Sequence, residues 1–166
     1  MPACEGDPRS YPVDDLNANG MTGTCLCKAI KITLTQRDLF KKPNGHICHC
    51  LNCRKATGSN AWSLLFLPTE NIRIEDPHGY MKNYADGETS TGKAIQRSFC
   101  SNCGSTLGNI PDEGNRASHT AIALGLFPRM PTPEFELFSA HKQEWLPPAV
   151  PEDQQYEYRP PMMDKY

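Results

Sequence analysis

Length, composition and charge exclude several classes of protein. The chain has 166 residues, 38% of them hydrophobic, and a formal net charge of -2. This length fits one domain with a buried core. The absence of excess positive charge argues against an electrostatic partnership with nucleic acid or anionic lipid. The longest apolar runs, such as 64–67, are too short to span a bilayer, so we expect no membrane partner.

Composition divides the chain into three regions. Residues 1–20 are acidic and polar, and they lack the basic start and apolar core of a secretory signal. We therefore expect a cytoplasmic, reducing location. We interpret 1–20 as an N-terminal extension, 21–146 as one folded domain, and the proline-rich 147–166 as a C-terminal tail.

The central region is predicted to be mainly β. Apolar and polar residues alternate over 30–34, which is the period of a half-buried strand. An apolar run over 61–67 that stops at Pro68 predicts a buried strand. Four later segments have a similar strand pattern: 72–74, 80–84, 95–99 and 119–127. One helical turn is predicted over 54–59, so we expect twisted antiparallel sheets joined by short loops.

Seven of the eight cysteines lie in short clusters, which in a reducing compartment is typical of metal ligands. Four of them form two close pairs that together complete a tetrahedral zinc site: Cys25, Cys27, Cys100 and Cys103. Gly104 suits the positive φ that often follows such a turn. We predict a structural zinc ion here, and the alternative is a set of buried free thiols or a redox pair. Cys4 stands alone and is expected to be a free surface thiol.

The segment His46-Ile47-Cys48-His49-Cys50-Leu51-Asn52-Cys53 offers three further thiolates. Cys48 and Cys50 are predicted to project to one side of an extended strand, and Cys53 to return from the following turn. Three protein ligands without an obvious fourth are typical of a zinc ion with an open position. The alternative is a second closed site with one of three residues as fourth ligand: Cys4, His46 or His49.

An open three-thiolate zinc site favours sulfur chemistry. Three thiolates leave a net charge of about -1, so the ion acidifies bound water less than zinc held by neutral histidines. Such a site suits the sulfur of a substrate thiol, which would ionise there at neutral pH. The pattern therefore predicts that a carbon–sulfur bond is made or broken, with a small-molecule thiol or thiol adduct as partner.

Side chains near these cysteines are weaker candidates. We predict a catalytic role for His49 as a proton shuttle, because it lies between two predicted ligands. A packing role is the alternative, since His49 alternates away from Cys48 and Cys50. Four basic residues are candidates for pairing with substrate carboxylates, but we expect them to be solvated surface charges: Arg54, Lys55, Lys93 and Arg97.

Three motifs carry a family resemblance. They are Gly23-Thr24-Cys25-Leu26-Cys27-Lys28-Ala29-Ile30, Cys48-His49-Cys50-Leu51-Asn52-Cys53-Arg54-Lys55-Ala56-Thr57-Gly58 and Phe99-Cys100-Ser101-Asn102-Cys103-Gly104-Ser105. Their sequences and order resemble those of the glutathione-dependent formaldehyde-activating enzymes, a group that includes centromere protein V. The resemblance covers about 21–145 and has one departure, because Lys28 stands where the family usually has glycine.

The resemblance implies a β-tent fold, two zinc ions and S-(hydroxymethyl)glutathione synthase or a related carbon–sulfur lyase activity. It implies the same division of ligands, with the four paired cysteines structural and Cys48, Cys50 and Cys53 catalytic. Glutathione is then the candidate thiol. Two other functions stay open: a non-catalytic zinc module that binds a protein or chromatin partner, and a zinc enzyme of non-thiol chemistry.

Overall fold

The computed structural model describes residues 6–111 and 118–160. Within these ranges the chain is mainly β, as predicted, with two short α-helices: α1 (Val13–Asn19) and α2 (Leu51–Thr57). The strands in the same ranges are β1 (Met21–Thr24), β2 (Lys31–Leu34), β3 (His46–Cys48), β4 (Trp62–Pro68), β5 (Ile72–Glu75), β6 (Met81–Asp86), β7 (Ile95–Cys100), β8 (Thr106–Asn109), β9 (His119–Ala123), β10 (Phe135–Leu137) and β11 (Gln155–Tyr156). None of the helices found there is long and apolar enough to cross a bilayer.

The strands form two sheets. The smaller sheet has the order β1-β2-β5, and the larger has the order β11-β10-β3-β4-β9-β8-β7-β6. The expected antiparallel pairing holds except at one edge of the larger sheet, where β10 runs parallel to both β3 and β11. The reason is the long connection from β9 to β10, which can bring the chain back in either direction, whereas a short hairpin cannot.

Strand β4 separates two environments. Leu65 and Leu67 pack into the main core between the two sheets. Trp62, Leu64 and Phe66 lie in a second apolar cluster on the opposite face of the larger sheet. Burial on both faces explains why this segment is a continuous apolar run instead of an alternating one. The candidate site described below lies on the second face.

The largest differences from the predicted bounds occur in two elements. The strand predicted over 119–127 ends at Ala123, because Leu124–Leu126 form a 3-10 helix. Helix α2 starts earlier than predicted: Cys50 is its N-cap, and the Cys50 Sγ accepts a hydrogen bond from the Cys53 backbone N–H. Cys53 therefore lies in the first turn of a helix and not in an irregular turn.

Both terminal regions contact the rest of the protein. In α1, Leu16 packs against the main core, and the Asn17 Oδ1 accepts a hydrogen bond from the Phe40 backbone N–H at 2.8 Å. Strand β11 belongs to the region predicted as a tail, and it pairs with β10. Cys4, which was predicted to be a free thiol, lies outside the described residues.

Gly23 on β1 lies very close to the 3-10 helix that follows β9. A Cβ atom at Gly23 would lie 2.5 Å from the Leu126 backbone oxygen and 2.8 Å from the Phe127 Cδ1. We expect Gly23→Ala to lower the free energy of unfolding by about 1–3 kcal/mol, because backbone must move to admit the methyl group. Gly87, which has nothing within 4 Å of such a Cβ, provides the matched control Gly87→Ala. Equal urea midpoints for the two variants would contradict the close approach.

Candidate metal centres

Four cysteine sulfurs converge where the two sheets meet. Cys25 and Cys27 follow β1, Cys100 ends β7, and Cys103 lies in the turn after it. The Sγ atoms lie 3.5 Å apart for Cys25 and Cys27, and 3.8 Å apart for Cys27 and Cys100. Zn–S bonds of about 2.3 Å in a tetrahedron place sulfurs about 3.8 Å apart. A disulfide bond is about 2.05 Å long, so these cysteines are not bonded to one another, and the spacing fits a metal site.

Local backbone geometry supports this first set. Gly104 has φ +76°, which is the predicted positive φ after the second pair. Lys28 also has a positive φ, of 63°, and its backbone N–H donates to the Cys25 carbonyl oxygen. This left-handed conformation explains why related motifs carry glycine there. The Ile30 backbone N–H donates to the Cys25 Sγ at 3.3 Å, which stabilises negative charge on that sulfur.

Three cysteine sulfurs converge on the second face of the larger sheet. Cys48 ends β3, Cys50 caps α2 and Cys53 lies in its first turn, and their Sγ atoms lie within 4.8 Å of one another. Within residues 6–111 and 118–160, no histidine, carboxylate or fourth cysteine joins this set. The two histidines considered as a fourth ligand, His46 and His49, are therefore not brought into it. Three soft donors fit zinc with one open position.

Hydrogen bonds among the three thiols of this second set shift their pKa values in opposite directions. The Cys48 hydrogen bond lowers the pKa of Cys50 to about 2 and is the largest cause of that shift. The bond to Cys50 raises the pKa of Cys48 above its ordinary value. For Cys53, a lowering by Cys48 is outweighed by the bond to Cys50 and by burial, and its pKa rises to about 11. Two of the three thiols therefore hold protons at neutral pH until a cation displaces them.

Arg97 lies beside this set, and the prediction that it is a solvated surface charge is wrong. Its exposed fraction is 8%. Its Nη1 donates to the Cys53 Sγ at 3.5 Å, and its Nη2 donates to the Asp86 Oδ2 at 2.8 Å. Its guanidinium also lies 5.6 Å from the Trp62 ring centre. One signal in the sequence pointed to burial: Arg97 shares a strand face with the apolar Ile95 and Phe99.

His49 contacts a buried carboxylate that the sequence analysis missed. Its Nε2 lies 3.7 Å from the Oε1 of Glu136, whose side chain is 1% exposed. Glu136 pairs with Ile47, so its side chain leaves the sheet on the face opposite to Cys48. Lys142 balances the charge of Glu136, because its Nζ lies 3.1 Å from the Glu136 Oε2. The catalytic role of His49 stays a prediction. Its contact with Glu136 lies on the sheet face opposite to Cys48.

A cleft of about 850 Å³ extends over the second face of the larger sheet. Its lining includes His46, which lies two residues before Cys48 on the same strand face, and the small Ala121. Burial lowers the pKa of His46 to about 4, so its ring is neutral at pH 7. The basic residues Lys93 and Arg159 also line the cleft. A smaller pocket of about 390 Å³ lies between α2 and strands β6 and β7.

The four-sulfur set should contribute more to stability than the three-sulfur set. Cys100 is fully buried in the main core, and its set joins the two sheets. We expect Cys100→Ser to lower the unfolding free energy of the zinc-loaded protein by about 3–5 kcal/mol, and Cys53→Ser by clearly less. Thermal unfolding of both variants, with and without a chelator, measures the difference. Equal losses would contradict the assignment of separate structural and functional sets.

Metal affinity at the three-sulfur set should rise steeply with pH. The pKa of Cys53 is about 11 and that of Cys48 is also raised, so both thiols are protonated from pH 6 to 8. Each must lose its proton to bind a cation, so affinity increases as pH rises, by up to about 100-fold per pH unit. Chelator competition against Co²⁺, read from its sulfur charge-transfer absorption, measures the slope. Cys53→Ser should lower the number of protons released on metal binding by about one. A metal affinity that does not change with pH would contradict the release of two protons.

The comparison with protein families agrees with the motif resemblance. The family model for glutathione-dependent formaldehyde-activating enzyme matches residues 20–141. A Schizosaccharomyces pombe protein named as an uncharacterized lyase is 31% identical over 85 residues, which are 51% of this chain and 53% of that protein. The chain thus spans about half the length of this curated relative. A Rhodobacter sphaeroides protein of known crystal structure has 17% identity and a TM-score of 0.47, over 82% of this chain and 99% of that one.

The family match covers well over half of the chain and includes both cysteine sets. The chain therefore belongs to the glutathione-dependent formaldehyde-activating enzyme family.

Proposed function

We propose that the chain is a zinc-dependent carbon–sulfur lyase that makes or cleaves a thiol adduct, such as S-(hydroxymethyl)glutathione. One observation carries the proposal: three sulfurs converge, and no fourth protein ligand joins them among the described residues. His46, two residues before Cys48 on the same strand, lines a cleft of about 850 Å³. Family membership and the lyase name of the yeast relative support the same class of activity. The rival of a non-catalytic zinc module requires a closed site, which this donor set does not favour.

Two zinc ions would have different cysteine ligands and different roles. The paired cysteines that join the two sheets would hold the structural ion, and Cys48, Cys50 and Cys53 would hold the catalytic one. A zinc ion bound by three thiolates supplies an open, soft position for a substrate sulfur and favours loss of the thiol proton at neutral pH. Cys48 ends β3, two residues after His46, which lines the cleft, and this supports an open position near it.

Small side chains make room for the substrate. Ala121 and Ala123 on β9 pair with Phe66 and Leu64 on β4, in the middle of the larger sheet. Because alanine extends little above the sheet, space remains over β9, while Phe66 forms one wall. The cleft of about 850 Å³ is in the range that holds a ligand of tripeptide size. Lys93 and Arg159, which line it, suit a thiol that carries carboxylates.

The reaction needs one proton transfer beside the sulfur. In adduct formation the thiolate sulfur attacks a carbonyl carbon, the C–S bond forms, and the carbonyl π electrons move to oxygen, which takes up the proton that the thiol released. Cleavage is the reverse. His49 was the predicted proton shuttle, but His46 is better placed, since its neutral ring lines the cleft on the face of Cys48. We propose His46 as the hydrogen-bonding partner of this oxygen.

Loss of one sulfur ligand should abolish turnover without unfolding the protein. We expect Cys50→Ser to lower kcat/KM for a confirmed thiol adduct by more than about 100-fold, because the donor set falls from three thiolates to two. Ser10→Ala, at an exposed described position outside both sets, is the control. Steady-state kinetics and circular dichroism measure activity and fold. Normal turnover by a folded Cys50→Ser variant would show that the catalytic assignment is wrong.

The substrate class has its own test. A screen should compare thiol adducts of aldehydes with esters and imines that contain no sulfur, with zinc-loaded protein in each case. We expect turnover of thiol adducts and none of the sulfur-free substrates, since three thiolates favour a soft ligand over hydroxide formation. Hydrolysis of esters with no reaction of any thiol adduct would favour the non-thiol zinc enzyme.

A further inference from the structure

We propose that Arg97 is a positioning residue that protects the Cys53 sulfur from the electrophilic carbon of the substrate. The proposal rests on the proposed function, and it addresses a problem that this function creates. An aldehyde carbon would meet four sulfurs in the site, one from the substrate and three from the protein. Attack by a protein sulfur would form a C–S bond to the enzyme and remove a metal ligand, so the protein sulfurs must be poorer nucleophiles than the substrate sulfur.

The guanidinium of Arg97 presents different edges to different partners. Its Nε and Nη2 donate to the Asp86 Oδ2 at 3.1 and 2.8 Å. Its Nη1 lies 3.5 Å from both the Cys53 Sγ and the Asn109 Oδ1. The carboxylate therefore occupies one edge of the rigid fork and directs the remaining nitrogen at the sulfur. Asp86 binds the edge of the Arg97 guanidinium that faces away from Cys53. It therefore orients the guanidinium and leaves the Nη1 available to the Cys53 sulfur.

A closed ring of contacts fixes this orientation. The Asn52 Nδ2 donates to both oxygens of Asp86, at 3.1 and 2.9 Å, and Asn52 directly precedes Cys53 on α2. The contacts thus run from Asn52 to Asp86, to Arg97 and back to Cys53. The Trp62 ring, 5.6 Å from the Arg97 guanidinium, packs against it as a fourth neighbour. A guanidinium held on several sides and 8% exposed cannot turn into water without breaking ion-pair contacts.

A fixed cationic donor changes the chemistry of the sulfur that it contacts. A charge-assisted hydrogen bond withdraws electron density from a thiolate and stabilises the anion. The sulfur then stays a ligand but attacks carbon more slowly, because nucleophilicity falls as the anion is stabilised. Contacts around metal ligands tune the ligands in this way in many sites. Arg97 thereby makes Cys53 a poorer competitor of the substrate sulfur for the electrophile.

Alkylation of the zinc-loaded protein tests the proposal without any substrate. Iodoacetamide forms a bond from sulfur to its methylene carbon and releases iodide, and peptide mass spectrometry gives the rate at each cysteine. We expect Arg97→Gln to raise the alkylation rate of Cys53 about tenfold over the native protein. Arg73→Gln, at an exposed arginine on β5, is the matched control and should leave the rate unchanged. An unchanged Cys53 rate in Arg97→Gln with zinc still bound would overturn the proposal.

A conservative variant provides a second test should Arg97→Gln fail to fold. Arg97→Lys keeps the positive charge but loses the fork that binds Asp86 and Cys53 together, so its Cys53 rate should rise about threefold. In Co²⁺-loaded protein the sulfur charge-transfer absorption of Arg97→Lys should move to longer wavelength, which a merely structural role would not cause. Native absorption and a native rate in Arg97→Lys would overturn the proposal. Both readouts are independent of turnover, so failure to find a lyase substrate would count against the proposed function alone.

Discussion

Convergence of the four sulfurs of Cys25, Cys27, Cys100 and Cys103 is the constraint on which the rest of the structure depends. Cys25 follows the first strand of the smaller sheet, and Cys100 ends a strand of the larger sheet, so a single ion would fix the two sheets relative to each other. The apolar core lies between those sheets, and Cys25 and Cys100 are part of it. A metal bond at this junction restricts strands that the sequence separates widely, which lowers the entropy lost when the core forms.

The larger sheet uses its two faces for different purposes. One face packs on the smaller sheet, and the opposite face carries the second apolar cluster with Cys48 and Cys53. Because one strand supplies both faces through simple alternation, β4 connects the packing of the core to the shape of the cleft. The main core and the three-sulfur set therefore lie on opposite faces of the same sheet. Tight packing behind β4 helps to hold the sulfur set in place.

Sequence patterns predicted six of the strands and the grouping of the sulfurs, because those depend on local period and spacing. The short strands β1, β8, β10 and β11 were not predicted. The run over 61–67 and the alternation over 30–34 became β4 and β2, and the clustered cysteines converged as two sets. The environments of Arg97 and Glu136 were missed, since each depends on residues that are distant in sequence. Asp86 reaches Arg97 only through the pairing of β6 with β7, and Ala149 reaches Glu136 from the far end of the chain. A pattern in one strand does not contain such contacts.

Glu136 has a consequence for how much of the chain the fold requires. Its Oε1 accepts a hydrogen bond from the Ala149 backbone N–H at 2.9 Å, and its Oε2 faces the Lys142 ammonium. Both donors lie near or beyond residue 141, where the family match ends. A version shortened to that match would leave a carboxylate in the interior without its solvating groups, at a cost of about 1–3 kcal/mol or more. Residues 142–149 thus supply hydrogen-bond donors that stabilise a buried carboxylate, and minimal versions of this protein should keep them.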